Sequence, residues 1–565
     1  MQRTRRPGFA PASLALLLLS AAALPAAGAA GPALPADAEQ AAQAIHAGSL
    51  AAPIRFLASD ALEGRGPASR GDVLARAYLA SELEALGFRP GGPDGGWQQS
   101  FDIVGIDAAM PASWSFSAGD KTVEWKRSDD YIAASGVQAE SAVLEGAEVV
   151  FVGYGIQAPE YRWDDFKGMN LKGKVLVMLN NDPEEDESLF AGKRRLYYGR
   201  WDYKYESAAR QGAAGAIIIH TTPSAGYPWQ VVQTSWTGEQ FELPAGNEPR
   251  LQVAAWSTEE AARRLFSAAG LDLTQLIAHA QRRDFRPVPL SVRTSLTLKT
   301  KIEKTTTANV LGLLPGGDPK LSSEVVVLSA HHDHLGVGEP DKEGDTIYNG
   351  AVDNAAGCAQ VLAIAKAFAA LKERPRRSIL VAFVAAEEQG LLGSRYYAEH
   401  PTFPPGKIAA NVNFDGGNIW GRTTDLTYIG LGKSSLDAVV KGFAAEQGRE
   451  VLPDQAPDRG FFYRSDQFSF AKIGVPAIYL DAGRKFRGKP EGWGKETQER
   501  WEEEQYHQPS DEIADSWNYE GMIEDARLGF YAALSIANEE AMPAWTPGDE
   551  FEAARKQALA AVAGK

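Results

Sequence analysis

Acids and histidines gather at four places in the second half of the chain. His331-His332-Asp333-His334 follows an apolar run, Asp353-Asn354 opens a helical pattern, Glu387-Glu388 closes a second apolar run, and Asp415 closes a third. Imidazole nitrogen and carboxylate oxygen are donors that zinc takes in near-tetrahedral sets. Two metal ions about 3.5–4 Å apart can share one carboxylate and one water, acidifying the water and polarising a carbonyl for attack. Such chemistry needs one carboxylate left free to move protons. Adjacent Glu387 and Glu388 at a strand end point in different directions, so one can ligate while the other serves as acid and base. Two acids after a largely apolar run also carry a desolvation cost that calls for a task.

The elements that must position these groups follow from periodicity. After Asn309 apolar strands alternate with helices, which predicts an α/β fold with a mostly parallel sheet flanked by helices. The expected strands are 324–330, 378–386, 408–415 and 475–481, with a helix over 355–371. All four acidic or histidine groups then fall at carboxyl ends of the sheet, the edge where ligands bind in open α/β folds. Upstream, apolar residues at helical spacing over 72–83 predict a helix that Gly87 ends. Between 142 and 287 the texture changes to short β-rich runs, 149–152, 175–179 and 216–219, separated by glycine, asparagine and aspartate clusters. The expected division is a leader over 1–29, the N-terminal part of the main domain over 30–141, an insert over 142–287, the main domain over 288–548 and a tail helix over 549–565.

Five blocks in order resemble the M28 family of zinc metallopeptidases: Ala330-His331-His332-Asp333, the run 350–357 around Asp353-Asn354, Ala386-Glu387-Glu388-Gln389-Gly390, Asn413-Phe414-Asp415 and Tyr506-His507-Gln508-Pro509-Ser510-Asp511. The stretch 54–65 and, in the insert, 151–156 and 173–177 extend the likeness, the insert resembling a protease-associated domain. The resemblance implies that His331 and Asp415 bind one zinc, Glu388 and His507 the other, and Asp353 bridges them. It implies Glu387 as general base, and Tyr506 as donor to the carbonyl oxygen in the transition state. Asp333, two residues after a ligand, suits the acceptor of that histidine's ring N–H. Arg464 resembles a substrate-pocket residue, with an ion pair to Asp466 as the alternative. Gln467 stands where many members have histidine. His332 and His334 are not expected among the ligands, nor is His220 of the insert, and Cys358 reads as a small buried hydrophobe.

The implied activity is aminopeptidase action on peptides with two zinc ions. Related folds with such an insert include glutamate carboxypeptidases, for which Arg194, Arg195 and Lys204 would supply a basic cluster; glutaminyl cyclases and ligand-free binding proteins are more distant alternatives. The segment 484–505 is expected either to fold over the site and limit substrate length or to be a plain surface loop.

Composition bounds the rest. With 565 residues, 44% of them hydrophobic, the chain can build a large core and more than one domain. Arg3, Arg5 and Arg6 before an apolar run of about a dozen residues, short of the roughly 20 that span a bilayer, predict a cleaved export leader with mature start near Ala30 and a periplasmic or extracellular destination. Losing those arginines takes the formal charge from −16 to about −19, which disfavours nucleic-acid and anionic-membrane partners. Cys358 is the single cysteine, so no intrachain disulfide forms. Oligomeric state is not readable from the sequence.

Overall fold

The computed structural model describes residues 34–563. The expected leader over 1–29 and the mature start near Ala30 lie outside them. Helix α1 (Arg70–Ala85) begins two residues before the predicted 72–83, because Ser69 caps it by accepting the Asp72 N–H at 3.2 Å. Gly87, with φ +80°, then turns the chain out of the helix. Strand β1 (Gln98–Ala109) leads from there toward the insert.

Four parallel strands form the centre of the insert: β2 (Ser141–Phe151), β3 (Val175–Leu179), β4 (Gly215–His220) and β5 (Val253–Thr258), paired in that order. Parallel strands need crossovers, so the segment carries more helix than its β-rich texture predicts: α2 (Trp201–Arg210), α3 (Trp229–Ser235) and α4 (Glu259–Ala268). Its apolar core also takes in Trp114, Phe116, Trp125 and Tyr131, so the expected boundary at 142 falls inside this packing unit. His220 is buried at the end of β4, its Nε2 donating to the Tyr227 carbonyl at 3.1 Å; burial pushes its pKa down to about 4.

One strand, β6 (Val288–Leu314), runs for 27 residues out of the insert and into the main sheet. Its first part pairs with β2, residues 299–310 pair with β1, and residues 310–314 pair with the main sheet. Burial alternates residue by residue through the first part and becomes continuous over 307–314. That change marks where a strand with one wet face enters a sheet covered on both faces.

In the main sheet the order is β6, β8 (Ser378–Val384), β7 (Val325–His331), β9 (Ile408–Asn413), β11 (Ala477–Ala482) and β10 (Asp425–Ile429). The middle four are parallel, and β6 and β10 run antiparallel to their neighbours. Every residue of β7, β8 and β9 is buried. Helix α5 (Gly357–Ala370) packs on the sheet with helix Ala47–Leu57 and a later helix, Glu520–Asn538. The strands start within two residues of expectation, but β8 and β9 stop two residues early. Glu387, Glu388 and Asp415 therefore stand on the loops just beyond the strand tips. The final helix, Glu552–Ala563, is docked through buried Arg555, which donates to the Ile408 carbonyl at 2.8 Å and the Pro543 carbonyl at 3.1 Å.

Candidate metal centre

The five expected ligands meet at the carboxyl edge of the sheet. His331 is the last residue of β7, and its Nε2 stands 3.1 Å from Asp415 Oδ1 and 3.3 Å from Asp353 Oδ1. His507 Nε2 stands 3.2 Å from the other oxygen, Asp353 Oδ2, and 3.1 Å from Glu388 Oε2. One carboxylate thus faces two imidazoles through its two oxygens. Donor atoms of His331, Asp353 and Glu388 lie within 4.8 Å of one another, as do those of His331, Glu387 and Asp415.

The donor set fits cations. His507 Nε2 is buried without a well-formed hydrogen bond, although carboxylate oxygens flank it. Burial opposes protonation of His507, yet Glu388 and Asp353 outweigh it and push the imidazole up to about 10. Burial likewise opposes ionisation of Asp353, but the facing imidazoles of His331 and His507 hold its carboxyl well below the usual range. Negative charge therefore dominates a pocket assembled from the donor types that bind divalent cations.

Glu387 makes no hydrogen bond or ion pair through its side chain among the described residues. Burial raises its carboxyl well above the ordinary range, with Asp415 and Glu388 adding to the shift and His331 opposing it. Its backbone is held by Asp333, whose carboxylate accepts the Glu387 N–H at 3.1 Å and the Glu388 N–H at 3.4 Å. This differs from the expected contact. His331 Nδ1 donates to the Asp333 carbonyl at 3.3 Å and lies 3.7 Å from its carboxylate, because the carboxylate has turned toward the backbone that follows Ala386, a residue with φ +55°.

Several groups hold the ligands from behind. Asp511 accepts the N–H groups of Val352 and Asp353, at 3.0 and 3.1 Å, fixing the loop that carries the shared carboxylate. Asn354 ties that loop to the Asp415 segment, donating to the Phe414 carbonyl and accepting from Gly416 N–H. Buried Arg65, from the N-terminal block, donates to the carbonyls of His332, Asn349 and Gly350. His334 bonds Glu388 Oε1 at 2.7 Å, and His332 bonds Asp72 at 2.9 Å, away from the five expected ligands. Cys358 is buried against the His331 carbonyl. Gln467 accepts from Asn413, two residues before Asp415. One more contact comes from the insert: Ser235 Oγ lies 2.8 Å from His507 Nδ1.

The centre opens into a cavity of about 980 Å³ walled by both the main domain and the insert. Tyr506 lines it beside His507, ring centroids 4.0 Å apart. Arg464 also lines it, stacked between Tyr227 of the insert at 5.2 Å and Phe461 at 5.0 Å. No hydrogen bond or ion pair engages its guanidinium among the described residues, and the alternative pair with Asp466 is not formed. From 484–505, Arg484, Gln498, Trp501 and Glu502 reach the wall, the last three carried on helix Trp493–Glu504. Arg194, Arg195 and Lys204 do not reach it: Lys204 Nζ is buried on the Tyr154 carbonyl at 2.6 Å and Arg195 bonds Asn181 at 3.0 Å. The basic cluster considered for a carboxypeptidase is therefore absent from the cavity wall among the described residues.

An α/β sheet with histidines and acids converging at its carboxyl edge places metal-donor side chains where open α/β folds bind their ligands. Residues 309–530 match the model of peptidase family M28. The chain is 26% identical to leupeptin-inactivating enzyme 1 of Streptomyces exfoliatus over 248 residues, 43% of this chain and 51% of that protein. It is 26% identical to a probable leucine aminopeptidase 2 of Aspergillus oryzae over 271 residues, 44% of this chain and 48% of that protein. The chain spans about half the length of these curated relatives. An aminopeptidase structure from Aneurinibacillus sp. strain AM-1 shares the fold with a TM-score of 0.52 and 18% identity, over 88% of this chain and 95% of that one.

Proposed function

We propose that this chain is an exported aminopeptidase that uses two zinc ions to remove N-terminal residues from peptides. The observation that carries the reading is the Asp353 carboxylate, with one oxygen 3.3 Å from His331 and the other 3.2 Å from His507. His331, Asp415 and Asp353 would hold one ion, and Glu388, His507 and Asp353 the other. When bound, the pair supplies Lewis acidity that polarises the scissile carbonyl and makes a water easier to deprotonate. Glu387 takes the proton from the attacking water and passes it to the departing amine. Asp333 holds the Glu387 backbone in place for that transfer. Tyr506 donates its hydroxyl proton in a hydrogen bond to the carbonyl oxygen as charge develops there, and Arg464 offers its unpaired guanidinium to the substrate. The insert, of protease-associated type, walls the cavity from above. One of the two relatives above is named a probable leucine aminopeptidase 2, which favours peptides as substrate. Export rests on the leader sequence over 1–29. Among the described residues no helix is long and apolar enough to cross a membrane.

A free N-terminal ammonium is what distinguishes this activity from carboxypeptidase action. Acetylating the amine of a leucyl reporter lowers kcat/KM by about 10–100-fold or more, the loss expected when a charged hydrogen-bonding group is removed, while amidating the C-terminus of a leucyl peptide does not. Cleavage that instead requires the free carboxylate would reverse the assignment. Metal analysis alongside gives two zinc ions per chain; one would favour the cyclase alternative, and none a binding protein. In the same assay Tyr506→Phe loses about 2–4 kcal/mol of transition-state stabilisation, a 30- to 1000-fold fall in kcat with little change in KM.

A further inference from the structure

The two histidines of the centre are oriented from different sides. His331 Nδ1 donates to a carbonyl two residues along its own chain segment. His507 Nδ1 finds its partner 272 residues away, in the insert, where Ser235 Oγ lies at 2.8 Å. Since His507 Nε2 faces the oxygens of Asp353 and Glu388, a neutral imidazole that presents its Nε2 lone pair to a cation must carry its proton on Nδ1. Ser235 Oγ then accepts that proton's hydrogen bond, which selects the tautomer and fixes the ring plane.

Ser235 is well placed for such a task. It is the last residue of α3, whose Val232 packs with Ile132, Ile218 and Trp256. At the other end of the helix, Trp229 Nε1 donates to the Ser128 carbonyl at 2.7 Å, and Gln233 Nε2 donates to the same carbonyl at 3.0 Å. Trp236, the next residue, is wedged against Trp201 at 5.1 Å. The hydroxyl is thus delivered by a helix fixed at both ends. A second contact from the same helix, Gln230 Nε2 to Gln508 Oε1 at 3.1 Å, touches the segment beside His507 without touching the imidazole.

We infer that Ser235 is a positioning residue for the metal ligand His507, so that the insert completes the Asp353–Glu388–His507 half of the centre. The inference rests on the two-zinc reading above. Zinc binding itself tests it, measured on the full chain by competition with a chromophoric chelator, with thermal melting to check the fold. The wild type binds two zinc ions. Ser235→Ala weakens one of them about 10–100-fold and leaves the other within twofold, Ser235→Thr restores it, and Gln230→Ala leaves both within twofold. Unchanged zinc affinity in Ser235→Ala, an equal loss in Gln230→Ala, or a loss that threonine does not restore overturns the inference while the two-zinc reading stands. A wild type that takes up no zinc overturns that reading and this inference with it.

Discussion

Glu387→Gln lowers kcat by about 10²–10⁴-fold, the range for loss of a positioned general base, and leaves the zinc content unchanged. Glutamine matches glutamate in shape, so the backbone hydrogen bonds from Glu387 and Glu388 to Asp333 survive. The amide has no basic oxygen able to take a proton from water. Glu387 is also the one acid of the cluster that lacks an imidazole within salt-bridge distance, whereas Asp353, Glu388 and Asp415 each face one. Its loss therefore removes proton transfer more than ligation. Steady-state kinetics paired with metal analysis checks this. A variant that loses zinc as well as turnover would make Glu387 a ligand, an outcome its closeness to His331 and Asp415 makes worth testing. A variant with undiminished turnover would move the base elsewhere.

Asp353→Asn acts on both ions at once. An amide offers a single weak oxygen donor where the carboxylate offered one oxygen to each side, so zinc content falls from two to below one per chain and kcat/KM drops by about 10³-fold or more, more than the loss expected for a residue that merely supports a ligand. Stability separates this from misfolding. A ligand present at 100 to 1000 times its Kd stabilises the folded state by about 2.7–4.1 kcal/mol, or roughly 2–5 °C in Tm for a chain of this size. Adding zinc to chelator-treated wild type produces that rise, and adding it to Asp353→Asn produces little. An equal rise in both proteins would show that the carboxylate is not shared.

The parts of the fold legible in the sequence are those where local pattern and chemistry agree. Strands β7, β8 and β9 read as largely apolar runs because both faces are covered, and the acids stand out because no other acid shares those strands. The five candidate ligands are equally accessible, since each sits beside a strand tip or in a recognisable block. What the sequence conceals is orientation. The spacing of His331 and Asp333 fits a ring contact, but only the turn after Ala386 sends that carboxylate to the Glu387 and Glu388 amides instead. Asp511 and Asn354 lie inside the quoted blocks, yet their tasks depend on loops brought together across 158 and 62 residues. Ser235 has no motif at all: it ends a short helix in the insert, and its partner lies on the other domain. The start of the insert's core at Trp114 was hidden for a similar reason, because aromatic residues in short hairpins read alike whichever core they join.

The strand Val288–Leu314 sets a practical limit on dissecting this protein. Excising residues 142–287 would strip β6 of its partner β2 and leave a long row of unsatisfied amides and carbonyls along an open edge, a template for self-association. A shortened enzyme that remains dispersed would need that edge trimmed back to about residue 299, where pairing with β1 takes over.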